Sequence, residues 1–425
     1  MTKTNLECYS RDRDHMRFLS DSIQTKSIFY ISNILIFLLL MLMVYQKEMS
    51  IYGHNPSSLI KIHSELADLN KKYIAKNQIL FTEGGYDGQF FYMISKYLYS
   101  PEITEKPIMD TYRLRFRRIG LPILSGYFSS ITTFQFYPQI TFSILILFHI
   151  SSFILFSKTL GNHYYYLSLF YLYSPFSILS IYLLVSDSLL ASLYVFLYYF
   201  FNLPSISKFN LKTKDNSAEI SILVFFTSIL FLLTKETGII FLFSLLLVFF
   251  MKRKYNTILS SFFAILVYSV FITWIQNISL VSEGTQPLKF ADLLDYPFLG
   301  FIRGIQYENF SSIRNLPKEV TKIILFSFFL SVLYVTKSWK RVGEAPFYLP
   351  ILFLGFVGTF AVQGYWFSFD NSMRFFTLMI PHLILMKKEL PYINLKIVFS
   401  LEIVILILLL GRVFLSKARE FQFFS

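Results

Sequence analysis

Hydrophobic residues in this chain gather in unbroken blocks of about 15 to 22, not in the period-2 or period-3.6 stripes of half-buried elements. The blocks fall at 28–45, 138–158, 163–183, 187–203, 219–233, 236–251, 257–276, 319–336, 346–363, 373–386 and 397–411. A helix needs about 20 apolar residues to cross a bilayer core. The pattern therefore predicts about eleven transmembrane helices, some of them short. Residues 119–134 (IGLPILSGYFSSITTF) are apolar, short and marked by Gly and Pro, which fits a half-span, a re-entrant helix or an interfacial helix. Barrel strands would alternate in polarity. The predicted fold class is all-α: a polytopic helical membrane bundle.

Composition narrows the function classes. Of 425 residues, 54% are hydrophobic and 15% charged, against about 25% charged in a typical soluble domain. A soluble enzyme, a disordered chain, a collagen and a disulfide scaffold are excluded. The net charge of +13 would point to nucleic acid in a soluble protein. In a membrane chain it reads as cytoplasmic-loop lysines and arginines and as contact with anionic lipids, so no nucleic-acid partner is expected. Cys8 is the only cysteine, and the six histidines show no ligand spacing. No internal repeat is visible, which gives no support to an inverted-repeat transporter.

Basic clusters set the expected orientation. Lys3, Arg11, Arg13, Arg17 and Lys26 precede the first block; Lys208, Lys212 and Lys214 lie in 204–218; Lys252, Arg253 and Lys254 follow the sixth block. Lys337, Lys340 and Arg341 follow the eighth, and Lys387 and Lys388 the tenth. With 119–134 not crossing, all five clusters share one side, as the positive-inside rule demands. The expectation is a multi-pass protein of the plasma (inner) membrane with a cytoplasmic segment 1–27 and one transmembrane domain, 28–425. Because the first 25 residues are polar and the next block is long enough to span, no cleavable signal peptide is expected. Two long loops would be external. One is 46–119, too long to lack helices and a function of its own. The other is 277–318, with the amphipathic stretch LKFADLLDYPFLGFIRGI.

The first long loop carries the densest polar cluster, EGGYDGQFFY (83–92) followed by MDTYRLRFRRIGLP (109–122). Glycines around Tyr86 and Asp87 permit a tight turn. Asp87 then suits two roles: N-cap of the following helix, or a carboxylate that takes a proton or orients a hydroxyl. Arg115 and Arg118, three apart, would share a helical face, and arginine suits bidentate phosphate recognition. The plainer alternative is lipid-headgroup contact. Charged residues inside or at the ends of the blocks include Asp187, Lys235, Glu236, Asp370, Arg374, Glu402 and Arg412. In this topology Asp187, Lys235, Glu236, Asp370 and Arg374 converge on the side of Asp87, although Asp187 and Lys235 equally fit span ends in water. Glu402 falls in the inner half of the last block and receives no role.

These residues resemble the GT-C class of glycosyltransferases, integral membrane enzymes that use polyprenyl-phosphate-linked sugars. The similarity is to a set of bacterial membrane proteins with a YDGQFYY…D-x-P-x-YRYQRILYPLL-like pattern. GYDGQFFYMI (85–94) matches its first part, and Asp110, Arg115, Arg118 and Pro122 fall on its second. Tyr112, Leu114 and Arg117 depart from it, and the departures at 112 and 114 leave donor specificity open. TKETGIIFL (234–242) and SMRFFTLMIP (372–381) resemble later segments of that group. The resemblance implies Asp87 as catalytic carboxylate and a donor phosphate held by Arg115, Arg118 and Arg117. Tyr86, Gln89, Asp110, Glu236 and Arg374 would be supporting residues. It further implies inversion at the anomeric carbon, with a glycan, lipid or protein as acceptor on the external face. No cofactor is called for. No DxD pair accompanies Asp87, which favours metal independence while leaving a divalent metal open. The competing class is a transporter or flippase of lipid-linked sugars, which should place polar groups along a path through the bilayer.

Overall fold

The computed structural model describes residues 3–206, 216–278, 294–311 and 316–424. Lys208, Lys212, Lys214 and residues 288–293 of the amphipathic stretch lie outside the described residues. The chain divides into two units, Met1–Tyr45 and Gln46–Ser425. The first is helix α1 (Lys3–Ile51) over most of its length, with Ile28, Ile31, Leu35, Leu39 and Leu42 exposed as lipid-facing residues are.

The second unit begins with a compact module in 46–119. It contains β1 (Ile62–His63), α2 (Ser64–Leu69), β2 (Ile79–Phe81), α3 (Asp87–Tyr99) and α4 (Tyr112–Phe116). Ile60, Ile62, Ala67, Tyr73, Leu80, Tyr92 and Met93 form a buried core with Tyr137 of the membrane body, so the segment is folded and not a bare connector. A third strand, β3 (Phe421–Phe423), arrives from the far end of the chain. β1 runs parallel to β2, and β3 antiparallel to it with Leu80 opposite Gln422. Gly84 has φ +64°, a conformation that glycine reaches without penalty, and it turns the chain into α3.

Next comes α5 (Gly120–Ile131), 12 residues long. At 1.5 Å per residue it reaches about 18 Å, short of the roughly 30 Å core. It packs on α3. A Cβ on Gly120 would lie 2.6 Å from Thr234 Oγ1. That close approach places the start of α5 against the end of α10 (Asn216–Thr234), which matters for the site.

The remaining helices make the membrane body: α6 (Tyr137–Tyr164), α7 (Ser168–Leu172), α8 (Pro175–Tyr182), α9 (Asp187–Ile206), α10, α11 (Gly238–Met251) and α12 (Tyr255–Ile278). They continue with α13 (Leu299–Gly304), α14 (Leu316–Tyr334), α15 (Ala345–Phe360), α16 (Gln363–Phe367), α17 (Phe369–Phe375), α18 (Met379–Glu389) and α19 (Lys396–Leu415). Among the described residues six segments are long and apolar enough to cross a membrane: Ser27–Ile51, Phe134–Leu172, Tyr255–Ile275, Leu316–Ser338, Val342–Phe360 and Lys396–Leu415. Shorter apolar helices cover Asp187–Leu203, Ala218–Thr234 and Gly238–Met251. The protein is an all-α membrane bundle. On α12, Phe262, Phe263, Leu266, Val270 and Trp274 are exposed, the signature of a lipid-facing surface.

Two apolar blocks are not single helices. Block 163–183 breaks at Ser174-Pro175, because proline removes a backbone donor and disfavours helix at the residue before it. Block 373–386 is divided by the turn at Phe376–Leu378 between α17 and α18. Continuous apolarity hid both breaks, since hydropathy reports burial or lipid contact and says little about backbone direction.

Candidate functional site

Asp87 is the first residue of α3; the N-cap is Tyr86, in extended conformation and without a side-chain cap. The N-cap expectation is therefore not met. The Asp87 carboxylate is held by two arginines instead. Arg115 Nη1 donates to Oδ1 at 2.6 Å, and Arg374 Nη1 lies 2.8 Å from Oδ2. Arg115 also grips Asp110, with Nε–Oδ1 at 3.1 Å and Nη2–Oδ2 at 2.8 Å. Its guanidinium lies over the Phe90 ring, 4.2 Å from the centroid. Arg374 Nε reaches Asp187 Oδ2 at 2.7 Å, and Lys235 pairs with the other oxygen of Asp187. Arg374 also stands over the Tyr86 ring at 5.4 Å. The result is one chain of alternating charge: Asp110, Arg115, Asp87, Arg374, Asp187, Lys235. Beside it Arg118 makes a two-point contact with Glu236, including Nε–Oε2 at 2.8 Å.

The structure thus brings Asp87, Asp110, Arg115, Arg118, Glu236, Arg374 and Tyr86 together from segments up to 288 positions apart in the chain. Asp187 and Lys235 join them, with Asp187 1% exposed. This pair is a buried part of the network and not a span end in water. The shared helical face expected for Arg115 and Arg118 is not formed: α4 ends at Phe116, and Arg118 sits in the turn to α5. The two arginines still line one cavity. Arg117 lines no cavity with them, and its Nε is buried without a hydrogen-bond partner. Gln89 acts locally, its Oε1 accepting from the His63 N–H at 2.9 Å to tie α3 to β1.

Two cavities meet at Asp87. One, of about 440 Å³, has Asp87, Arg115, Arg118, Asp187, Lys235, Glu236 and Arg374 at its polar end. Leu190, Phe241, Phe353, Leu354, Val357 and Leu378 make its apolar walls. Its lining carries four cations against three carboxylates. The other, of about 400 Å³, is polar and is bounded by Gly84, Gly85, Tyr86, Gln89, Asp110, Ser368, Asp370, Asn371 and Arg419. Asp87, Arg115 and Asn371 belong to both. Asn371, Tyr365 and Arg419 were missed in the sequence. Asn371 follows Asp370 in an otherwise apolar block, a usable signal; Arg419 offered none. Among the described residues no three His, Cys, Asp or Glu side chains cluster as metal ligands do.

Burial raises the Asp87 carboxyl, but Arg374, Arg115 and Arg118 outweigh it and hold the group well below the usual carboxylate range. Burial alone would move the group the other way, but the Tyr86 and Phe90 rings beside it come with two guanidiniums, Arg374 and Arg115. A depressed folded value adds stability above the unfolded pKa of about 3.9, and that stability is lost as pH falls through the lower folded value. The Asp87 contribution to the unfolding midpoint in detergent should therefore stay constant from pH 8 to about 4 and fall only below it. Asp87→Asn should flatten part of the acid loss. A wild-type-minus-variant difference that already declines between pH 7 and 5 would contradict the paired geometry.

Comparison with known proteins gives no matching family model, no matching curated protein and no matching solved structure.

Proposed function

We propose that this protein is a membrane glycosyltransferase of the GT-C kind, moving a sugar from a polyprenyl-phosphate donor to an acceptor hydroxyl. The observation that carries the reading is Asp87 at the junction of two cavities of different character. The amphipathic cavity suits a donor with a charged phosphate head and an apolar tail. Arg115, Arg118, Lys235 and Arg374 at its polar end offer charged donors to an anion that competes with their carboxylates. The polar cavity suits a hydroxylated acceptor.

In the proposed reaction the acceptor oxygen attacks the anomeric carbon as its proton passes to an Asp87 oxygen. The bond from that carbon to the phosphate oxygen breaks, the electron pair leaves on polyprenyl phosphate, and configuration inverts. The resting carboxylate is a weak base because two arginines hold it. A donor phosphate competes for those same guanidiniums, and each contact it takes makes Asp87 more basic at the moment the acceptor needs it. Transport has no comparable observation in its favour, since these groups gather at one locus and do not trace a path.

The proposed topology has eleven crossings, two by the broken segments 163–183 and 373–386, with the N-terminus inside and the site external. Pairing of β2 with β3 requires an even number of crossings between residues 81 and 421, and ten satisfies it. In a Cys8→Ser background, single cysteines at Glu65 and Glu420 should both label from outside intact cells. Labelling of both only after permeabilisation overturns the orientation; labelling of one alone overturns the span count.

The direct test is transfer in liposomes. The purified chain is supplied with a panel of polyprenyl-phosphate sugars and an extract of envelope glycans and lipids, with products read by mass spectrometry. A new glycoside with inverted configuration is expected. No product across the panel, with membrane lipids and surface glycans unchanged when the protein is removed from cells, would sink the reading.

A further inference from the structure

We infer that the C-terminal arm completes the polar cavity, and that Arg419 there binds an oxyanion, carboxylate or phosphate, carried by the acceptor. This rests on the transferase reading for the word acceptor, and on the structure alone for the binding site. The arm leaves α19 and docks on the first-loop module. β3 pairs with β2, the Asn77 N–H donates to the Phe424 carbonyl, and the Thr82 N–H donates to the Glu420 carbonyl. Phe421 packs edge-on against Tyr52, 5.4 Å between centroids. The Arg419 N–H donates to Tyr52 Oη at 3.1 Å. Arg419 is thus fixed by its own backbone and by its neighbour Glu420, in an arm that Phe421 and Phe424 anchor to the module.

The side chains around the cavity show what is left unused. Asp110 is bonded to Arg115, and Asp87 to Arg115 and Arg374. Asp370 is bonded at both oxygens by Arg412, at 2.5 and 2.9 Å. Among the described residues the Arg419 side chain makes no ion pair or hydrogen bond, and it is exposed to the cavity. The Tyr86 hydroxyl, on the same cavity, is buried without a hydrogen-bond partner. A buried unpaired hydroxyl is uncommon and marks a place for a ligand or water. An unpaired guanidinium and an unpaired phenol facing one polar space of about 400 Å³ suit a sugar that bears hydroxyls and one oxyanion. With Asp87, Asp110 and Asp370 each held by an arginine, Arg419 is, among the described residues, the one cation of the lining left for an incoming group.

The test uses the full chain in nanodiscs and three probes, glucose, glucuronic acid and glucose 6-phosphate, with binding read by ligand-detected NMR. At least one anionic sugar should bind more tightly than glucose. Preference for glucuronic acid assigns a carboxylate, and preference for glucose 6-phosphate a phosphate. Arg419→Gln should weaken the preferred anion about tenfold, the scale of one charge-assisted hydrogen bond, and leave glucose unchanged. Arg419→Lys should fall between, and Lys417→Gln, on the same arm, should match the parent. Equal affinity for all three sugars, or an anion preference that survives Arg419→Gln, overturns the inference. An unfolding midpoint equal to the parent's shows that the arm is still docked. Arg419-dependent anion binding without any transfer leaves the site standing and removes the transferase reading. Transfer with no Arg419-dependent preference does the reverse.

Discussion

Asp87→Asn is expected to fold and insert like the parent chain while losing transfer by about 10²–10⁴-fold, the usual contribution of a general base. Folding should survive because each arginine keeps a second carboxylate: Arg115 has Asp110 and Arg374 has Asp187. Asparagine also keeps an oxygen that can accept from one of them. What it lacks is the capacity to take the acceptor proton. Since the N-cap of α3 is Tyr86 and not Asp87, loss of an N-cap is not a competing explanation for lost activity. Transfer rate in liposomes, measured beside the unfolding midpoint, separates the outcomes. Full activity with an unchanged midpoint would remove Asp87 from the chemistry and turn attention to Glu83, Asp110 or Glu236.

Arg374→Met should be the most destabilising single change in the site. Arg374 is 9% exposed and bridges Asp87 and Asp187. Removing one partner of a buried ion pair costs about 3–5 kcal/mol, because the remaining charge stays desolvated without compensation. Here each carboxylate retains one cation, Arg115 for Asp87 and Lys235 for Asp187, so the lower end, about 3 kcal/mol, is expected. Coupling supplies the check. Arg374→Met combined with Asp187→Asn should cost less than the sum of the single changes by about 0.5–3 kcal/mol, as for residues in one network. Additive single effects in a denaturation series would mean that the two side chains do not interact in solution.

The candidate site could be partly read in the sequence for a specific reason. A carboxylate flanked by glycines and a dense arginine run are local features, and local order is what a sequence displays. Positive-inside alternation put Glu236 and Arg374 on the same side as Asp87 without any contact being known. The partners could not be read. Arg115 and Arg118 looked like free phosphate ligands, yet in the fold each carries its own carboxylate, and their relation follows from the end of α4 at Phe116 and not from a spacing of three. Arg419 was invisible because only strand pairing across most of the chain places it beside Asp110.

The sequence by itself determined the solvent and the class. Blocks of continuous apolarity exceed what a soluble interior can hide, so the chain is an all-helical membrane bundle whatever its contacts. Tertiary structure alone decided the electrostatics of the site. Whether Asp187 and Lys235 are wet span ends or a buried pair depends on helices distant in sequence closing over them. Whether burial raises or lowers the Asp87 carboxyl depends on which charges share its low-dielectric surroundings. Coulomb energy falls with separation in space and is indifferent to separation along the chain, and that is why the direction of the shift at Asp87 had to wait for Arg374.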